Sequence, residues 1–230
     1  MTRLDRKLAV GVVALIALPL ATAARAPLSA SERGKTANKI FSDAQTAMRH
    51  LKNFHVLGHA GSGAQAVHFN LSLSPKGGGG SVSFFPKATM ELVVAARTVY
   101  VKADEKSWMK LSDSKTTAKL VANKWIKVPL SNPAFSDLAQ FAISTSFLNT
   151  MASYSGALND LSGTVIWGRR KALVLKDNEG DKLLIADVGV PYMLHFQGST
   201  GSSSGSLTFF DFGDAPMPTV PTRSMSLADA

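Results

Sequence analysis

The chain has 230 residues, of which 45% are hydrophobic and 18% are charged. This length suits one domain, and the apolar content excludes a wholly disordered chain. Cysteine is absent, which excludes disulfides, thiolate metal sites, a cysteine nucleophile and a lipidated cysteine. The formal net charge is +9, which is compatible with an anionic partner or with a solubilising surface charge.

The N-terminus predicts a secretory signal peptide. Arg3, Arg6 and Lys7 precede an apolar run from Leu8 to Leu20, and an Ala-Thr-Ala site follows at 21–23. A basic start, a short apolar run and small residues are typical of a cleaved export signal. We expect cleavage after Ala23, although an uncleaved anchor is an alternative. The remaining chain would carry a charge of +7, and for an exported protein anionic lipid is a better partner than nucleic acid.

The first half of the chain predicts one helix followed by a β-meander. Residues 24–34 are interpreted as a loose leader, and apolar residues at helical spacing predict a helix over Lys35–Leu51 without a convincing N-cap. Strict alternation from Val67 to Ser74 indicates a half-buried strand. Gly77–Gly80 are predicted as a flexible turn. Further strands are predicted around Val82 and Phe84, around Met90, Leu92 and Val94, and over Thr98–Lys102.

The second half predicts a helical segment and a second meander. A helix capped by Ser112 or Asp113 is expected over Asp113–Asn123, followed by an extended Lys124–Leu130. Asn132–Met151 predicts one or two helices that begin at Asn132-Pro133. The tail from Gly213 is proline-rich and is expected to be peripheral or disordered past Pro221. Strands are predicted at 163–167, 171–177, 182–188, 192–197 and 206–212.

This order of elements indicates an α+β fold. Nine to eleven short strands in two antiparallel blocks would form one large sheet, and such a sheet usually curls. The concave apolar face then needs a cover, which the helices can supply. The predicted organisation is a signal peptide (1–23), a leader (24–34), a single domain (35–213) and a proline-rich tail (214–230).

Several short motifs resemble sequences of the LolA-like superfamily. Within this superfamily, they resemble the actinobacterial LppX/LprG-type lipoproteins. They are Val-Tyr-Val-Lys at 99–102, Trp-Met-Lys-Leu at 108–111, Lys-Trp-Ile-Lys-Val-Pro at 124–129 and Leu-Thr-Phe-Phe-Asp-Phe-Gly at 207–213. The resemblance implies an open half-barrel, covered by helices, whose cavity holds acyl chains of lipids or lipoproteins in transit across the envelope. Those relatives carry a cysteine at the cleavage site, whereas this chain has none and would be a carrier without a lipid anchor.

An acyl-binding cavity has a simple physical basis, because each buried methylene contributes about 0.8 kcal/mol. Methionine suits such a lining since it adapts to ligands of variable shape. Ordinary core packing is the alternative for any single position. The residues that we expect between sheet and helices are Phe84, Met90, Leu92, Val94, Val99, Val101, Phe141, Phe147, Leu148 and Met151.

Other chemistry finds little support. His50, His55, His59 and His68 lie within 19 residues, but His55 and His59 are about 13 Å apart on one strand and could share a metal only through a neighbour such as His68. No hydrolase, kinase or dinucleotide motif occurs in a fitting context. We therefore expect no enzyme, no metal and no cofactor.

Two functions follow as hypotheses. The first is an exported monomeric carrier in the periplasm or cell envelope, or secreted, which binds an acylated lipid or glycolipid and can meet an anionic membrane surface. The second is an envelope sensor or interaction module on the same scaffold, which reads a protein partner through a sheet edge or the tail. A carrier needs an open apolar volume of several hundred Å³, which an interaction module can fill.

Overall fold

The computed structural model describes residues 31–61, 66–84, 88–111, 114–154, 158, 160–198 and 204–226. The predicted signal peptide and most of the predicted leader lie outside these residues. Within them, five helices accompany a sheet of twelve strands. The helices are α1 Ala37–Arg49, α2 Glu105–Leu111, α3 Lys115–Val121, α4 Pro133–Gln140 and α5 Ser144–Tyr154. The strands are β1 Phe54–Ala60, β2 Val67–Ser74, β3 Gly77–Phe84, β4 Ala88–Ala95, β5 Thr98–Ala103, β6 Ile126–Pro129, β7 Asp160–Trp167, β8 Arg170–Lys176, β9 Lys182–Ala186, β10 Met193–Gly198, β11 Gly205–Phe210 and β12 Met225–Ser226.

The sheet consists of two meanders joined by one ladder. Its order is β12-β6-β5-β4-β3-β2-β1-β11-β10-β9-β8-β7, and neighbours are antiparallel except for β12 and β6. β1 pairs with β11 at the junction, with Val56 opposite Phe209. We call this ladder the seam. The predicted α+β half-barrel is confirmed, because one large open sheet carries the helices as its cover.

The main core lies between the inner face of the sheet and the helices. On β2, Phe69, Leu71 and Leu73 are buried as their alternation predicts. From α1, Ile40 and Met48 pack into the same cluster. A smaller cluster covers the opposite face of β8–β10, where Trp167, Tyr192 and Phe212 pack over small and branched side chains. Strands β8–β10 therefore bury apolar side chains on both faces.

The predicted flexible turn at 77–80 is wrong, because these glycines belong to β3. Gly79 lies opposite Val93, and a Cβ built there would lie 2.0 Å from the carbonyl oxygen of Leu92. At Gly78 a Cβ would lie 2.2 Å from Ser72 O and 2.8 Å from Ala142 O. Close backbone approach, rather than chain reversal, therefore requires glycine here.

The end of the predicted leader is anchored rather than loose. Asp187 is buried and accepts hydrogen bonds from Ser31 Oγ and Arg33 Nε, both at 3.0 Å. Glu32 is also buried, and its carboxylate pairs with Lys35 Nζ at 2.8 Å. Burial of these carboxylates is tolerated because each one has a hydrogen-bonded cationic partner.

The tail also departs from expectation beyond Pro221. β12 pairs in parallel with β6, with Met225 opposite Ile126, and the backbone N–H of Met225 donates to Trp125 O at 2.9 Å. Met225 packs against the main core. The proline-rich segment therefore leads into an edge strand of the sheet, and residues 227–230 lie outside the described part.

The structure corrects the starts of two predicted helices and adds one helix that was not predicted. Thr36 Oγ1 caps α1 by accepting from the N–H of Lys39 at 3.3 Å, although no convincing cap was predicted. Ser114 caps α3, in place of the predicted Ser112 or Asp113. The carboxylate of Asp104 accepts from the N–H of Ser107 at 2.7 Å at the start of the unpredicted α2. Hydrogen bonds from the side chain and the backbone N–H of Ser107 hold the pKa of Asp104 below its usual value.

Candidate ligand cavity

A cavity of about 210 Å³ lies between α5 and the strands at one end of the seam. β1 and β11 contribute Ala60 and Leu207, while α5 contributes Phe147 and Met151 from the opposite side. The inner face of β1 carries Phe54, Val56 and Ala60 because alternate residues of a strand point to one face. The lining consists of His59, Ala60, Gly61, Phe69, Phe141, Phe147, Thr150, Met151, Phe196, Ser204, Gly205 and Leu207.

The lining is mainly apolar and contains no carboxylate, lysine or arginine among the described residues. Thr150 Oγ1 is occupied, since it donates to Ser146 O at 3.1 Å within α5. Ser204 Oγ is buried and has no hydrogen-bond partner among the residues that the structure describes. The cavity therefore offers aromatic and aliphatic surface together with the ring of His59 and the buried hydroxyl of Ser204.

Aromatic contacts attach the helical cover to the sheet. Phe141, between α4 and α5, lies against Phe69 of β2 with ring centroids 5.1 Å apart. Phe147 of α5 meets Phe209 of β11 edge-on at 6.3 Å. Ile143 forms an isolated parallel bridge with Ser74. The glycines of β3 allow the backbone at Ala142 to approach the sheet directly, and this approach sets the height of α5 above the seam.

Three of the ten residues predicted for the cavity line it: Phe141, Phe147 and Met151. The others pack beside it in the main core, and Phe84 is only half-buried there. β4 lies three ladders from β1, which is roughly 14 Å at the usual strand spacing. Most of the other predicted residues lie on β4 or β5 and are therefore distant from the cavity. The seven residues outside the lining are Phe84, Met90, Leu92, Val94, Val99, Val101 and Leu148.

The sequence interpretation missed the sheet side of the cavity. Phe196 and Leu207 are paired across β10 and β11, and they reach Phe69 of β2 only through the seam. Alternation on β2 does place Phe69 on the inner face. No local pattern, however, indicates that β1 and β11 are neighbours.

The histidines do not assemble into a metal site. His59 and His68 lie opposite each other with ring centroids 5.5 Å apart. His55 is held by Asn70 Oδ1 at 2.7 Å and by Ser72 Oγ at 3.1 Å. Within the described ranges, no group of three histidine, aspartate or glutamate side chains is placed to hold a metal ion.

Comparison with solved structures identifies the architecture. The crystal structure of LprF from Mycobacterium bovis aligns with 80% of this chain and 96% of its own, at 13% identity and a TM-score of 0.50. The Mycobacterium tuberculosis lipoprotein LppX aligns with 77% of this chain and 95% of its own, at 15% identity and a TM-score of 0.50. This chain has the LppX and LprF fold. The resemblance seen in the sequence is therefore confirmed at the level of the fold.

The remaining comparisons add no further assignment. A LolA superfamily protein from Nitrosomonas europaea covers 80% of this chain at 12% identity, but its TM-score of 0.26 is too low to support an argument. No protein-family model and no curated protein sequence matches the chain. Among the described residues, the helices are all too short or too polar to cross a membrane.

Proposed function

We propose that this protein is a non-enzymatic carrier that holds the acyl chain of a lipid or glycolipid in the cavity beside the seam. The observation that carries the proposal is an apolar cavity, bounded by Phe147 and Met151 of α5, in a chain with the LppX and LprF fold. Apolar contact with few polar anchors is what a lipid carrier requires. Transfer of the lipid within or across the cell envelope completes the proposed role.

The cavity volume limits what fits in this state. An apolar cavity of about 150 Å³ holds a six-carbon ring such as benzene, so 210 Å³ corresponds to about eight carbon atoms. Burial of eight methylenes would contribute roughly 6 kcal/mol before the cost of ordering the chain. The described state therefore suits the terminal part of one acyl chain. A complete chain requires α5 to move away from the sheet.

The buried hydroxyl of Ser204 fits the same class of ligand. Ser204 Oγ is buried without a partner among the described residues and lies at the cavity wall. An ester or amide carbonyl would accept a hydrogen bond from this hydroxyl, and a buried donor gains most from such a partner. We infer that, once α5 has moved and a complete chain has entered, its carbonyl end lies near Ser204 and its methyl end lies deeper.

Export completes the proposal. We propose that residues 1–23 are a signal peptide and that the protein acts in the cell envelope, or secreted, as a monomer without a lipid anchor. The basic and apolar composition of the N-terminus supports this part of the proposal.

Native mass spectrometry of the protein from an export-competent host, purified without detergent, tests the carrier function. We expect added mass that organic extraction removes and that is identified as acyl lipid. Ala60→Phe, which fills the cavity from β1, should reduce the fraction of protein that carries this added mass at least tenfold. Leu57→Phe is the matched control, because Leu57 lies on the other face of β1 and is 46% exposed.

A protein with no bound lipid that also takes up no added fatty acid or phospholipid would overturn the carrier proposal. The second candidate, a sensor or interaction module that reads a protein partner, would then be preferred. A cavity smaller than several hundred Å³ favours it, as does the free edge of β7, where Val165 and Ile166 are exposed. Equal lipid loading of the Ala60→Phe and parent proteins would instead place the lipid elsewhere.

A further inference from the structure

The turn between β7 and β8 combines exposed apolar and cationic side chains at one corner of the sheet. Among the described residues, β7 pairs only with β8, and Trp167 lies opposite Arg170 across a tight turn. The ladder between β8 and β9 ends at Ala172, so residues 166–171 extend beyond it. One further bond holds this end, from the N–H of Asp187 to Lys171 O at 2.9 Å. We call residues 166–171 the hairpin tip.

The apolar part of the hairpin tip is unusually exposed. Ile166 is 71% exposed, more than any other large hydrophobic side chain in the described part of the chain. Trp167 is half-buried, and its ring stacks on His195 at 4.3 Å. This contact fixes the indole on one face of β7, whereas Ile166, the preceding residue, projects from the other face. Isolated apolar residues need no explanation, but an isoleucine and a half-buried tryptophan on the two faces of one hairpin end form a protruding apolar feature.

Three cations follow directly. Arg169, Arg170 and Lys171 are all exposed, and within the described residues none has a carboxylate within 4 Å. The guanidinium of Arg170 lies 5.4 Å from the ring of Phe212. Asp211 and Asp214 line the groove behind Arg169 and Arg170 without forming such a pair. The three cations of the tip therefore form no ion pair among the described residues, and Asp211 and Asp214 offset their charge only in part.

This combination matches the surface of a bilayer. Tryptophan favours the interface between headgroups and acyl chains, and arginine and lysine are attracted to anionic lipid. Neither signal alone gives stable attachment, whereas an apolar insertion combined with a basic cluster does. We propose that the hairpin tip docks the protein on membranes that contain anionic lipid. This docking goes beyond the carriage of lipid in the cavity and does not rest on it.

A second surface provides an internal control. Lys115, Lys119 and Lys124 surround Leu120 near α3, and Leu120 is 40% exposed. This surface carries the same number of cations, and its apolar side chain, Leu120, is less exposed than Ile166. Substitution of either set removes three charges, so diffuse attraction between the protein and the membrane falls equally in both variants.

The test is co-sedimentation with vesicles of phosphatidylglycerol and phosphatidylcholine in equal parts, compared with phosphatidylcholine alone. We expect the parent to bind the anionic vesicles more tightly and to dissociate as salt rises, because salt screens the attraction. At roughly fivefold per cation, R169Q/R170Q/K171Q should lower the partition coefficient by about two orders of magnitude. K115Q/K119Q/K124Q should lower it at most fivefold. Every variant retains the parent's N-terminus, so any contribution of residues 1–30 to binding cancels when the partition coefficient of a variant is divided by that of the parent.

Fluorescence locates the insertion. In a Trp125→Phe background, the remaining tryptophans are Trp108, which is 4% exposed, and Trp167. Brominated anionic lipid should quench Trp167 only when vesicles bind, and Ile166→Ser should reduce both binding and quenching about tenfold. Circular dichroism confirms that each variant is folded, as expected for substitutions outside the core.

Three results would overturn the proposal. The first is equal loss of binding in the two triple variants, which would indicate diffuse attraction by net charge. The second is equal binding of the parent to neutral and anionic vesicles, or no binding to either. The third is a parent dimer that Ile166→Ser dissociates, which would make the edge of β7 an interface between two copies. Native mass spectrometry of R169Q/R170Q/K171Q reports lipid in the cavity separately, so a failure of docking is distinguishable from a failure of carriage.

Discussion

Gly78 is the position where one methyl group should do most damage to the helical cover. A Cβ at Gly78 would lie 2.2 Å from Ser72 O on β2 and 2.8 Å from Ala142 O between α4 and α5. Ordinary contact begins near 3.4 Å, so relief requires the neighbouring strand to move by about 1 Å and the helical segment to lift. Neither neighbour is a flexible side chain, because both are backbone carbonyls.

The cost of Gly78→Ala follows from these two contacts. Overpacking in a close-packed region costs about 1–3 kcal/mol, and weakening of two backbone hydrogen bonds adds about 1 kcal/mol each. Reduced freedom of the unfolded chain returns about 0.4–1 kcal/mol. We therefore expect the free energy of unfolding to fall by about 2–4.6 kcal/mol, and Tm to fall by roughly 4–18 °C for a chain of this size.

Urea unfolding monitored by circular dichroism measures this loss. Ser81→Ala, on the same strand, is the matched control and should change the free energy of unfolding by no more than about 0.5 kcal/mol. A loss below 1 kcal/mol for Gly78→Ala, or equal losses for the two variants, would refute the argument that backbone contact at β3 supports the helical cover.

Three further predictions concern side chains away from the cavity. Burial lowers the pKa of His195, so below about pH 6.5 the unfolded state binds more protons than the folded state. The free energy of unfolding should therefore fall as the pH falls through this range. Urea titrations of His195→Gln should show a smaller fall. Thr36→Ala removes the cap of α1 and should cost about 1 kcal/mol in the same assay. Arg33→Gln removes the charged hydrogen bond to the buried Asp187 and should cost roughly 1.5–3 kcal/mol, with faster proteolysis at residues 31–34; unchanged cleavage would contradict the anchoring of this segment.

The sequence was most informative where one strand face is wet and the other is buried. β2 is the clearest case, since Phe69, Leu71 and Leu73 alternate with polar residues and all three are buried. The two middle helices were also predictable from Asn132-Pro133 and from the apolar spacing that follows. Both signals are local and depend only on the period of the element.

The errors arose where backbone contacts replace side-chain patterns. Four consecutive glycines carry no alternation, so β3 could not be distinguished from a turn, although its register with β2 and β4 is continuous. The pairing of Met225 with Ile126 joins residues about a hundred positions apart. The cavity was missed on its sheet side for the same reason, because Phe196 and Leu207 join Phe69 only through the seam. Non-local pairing of this kind leaves no periodic trace in the chain.

The seam also determines when the sheet can be completed during synthesis. β1 ends at Ala60, and its partner strand begins at Gly205, so one edge of β1 has no partner until almost the entire chain exists. At about 5–20 residues per second, this interval lasts roughly 7–30 seconds. The ladders inside each meander close over short distances and have no such delay. The two half-sheets should therefore form first, and the seam between them should pair last. Pulse-labelled hydrogen exchange should show that the amides of β1 and β11 become protected after those of β3–β5. The cavity does not exist before that final step.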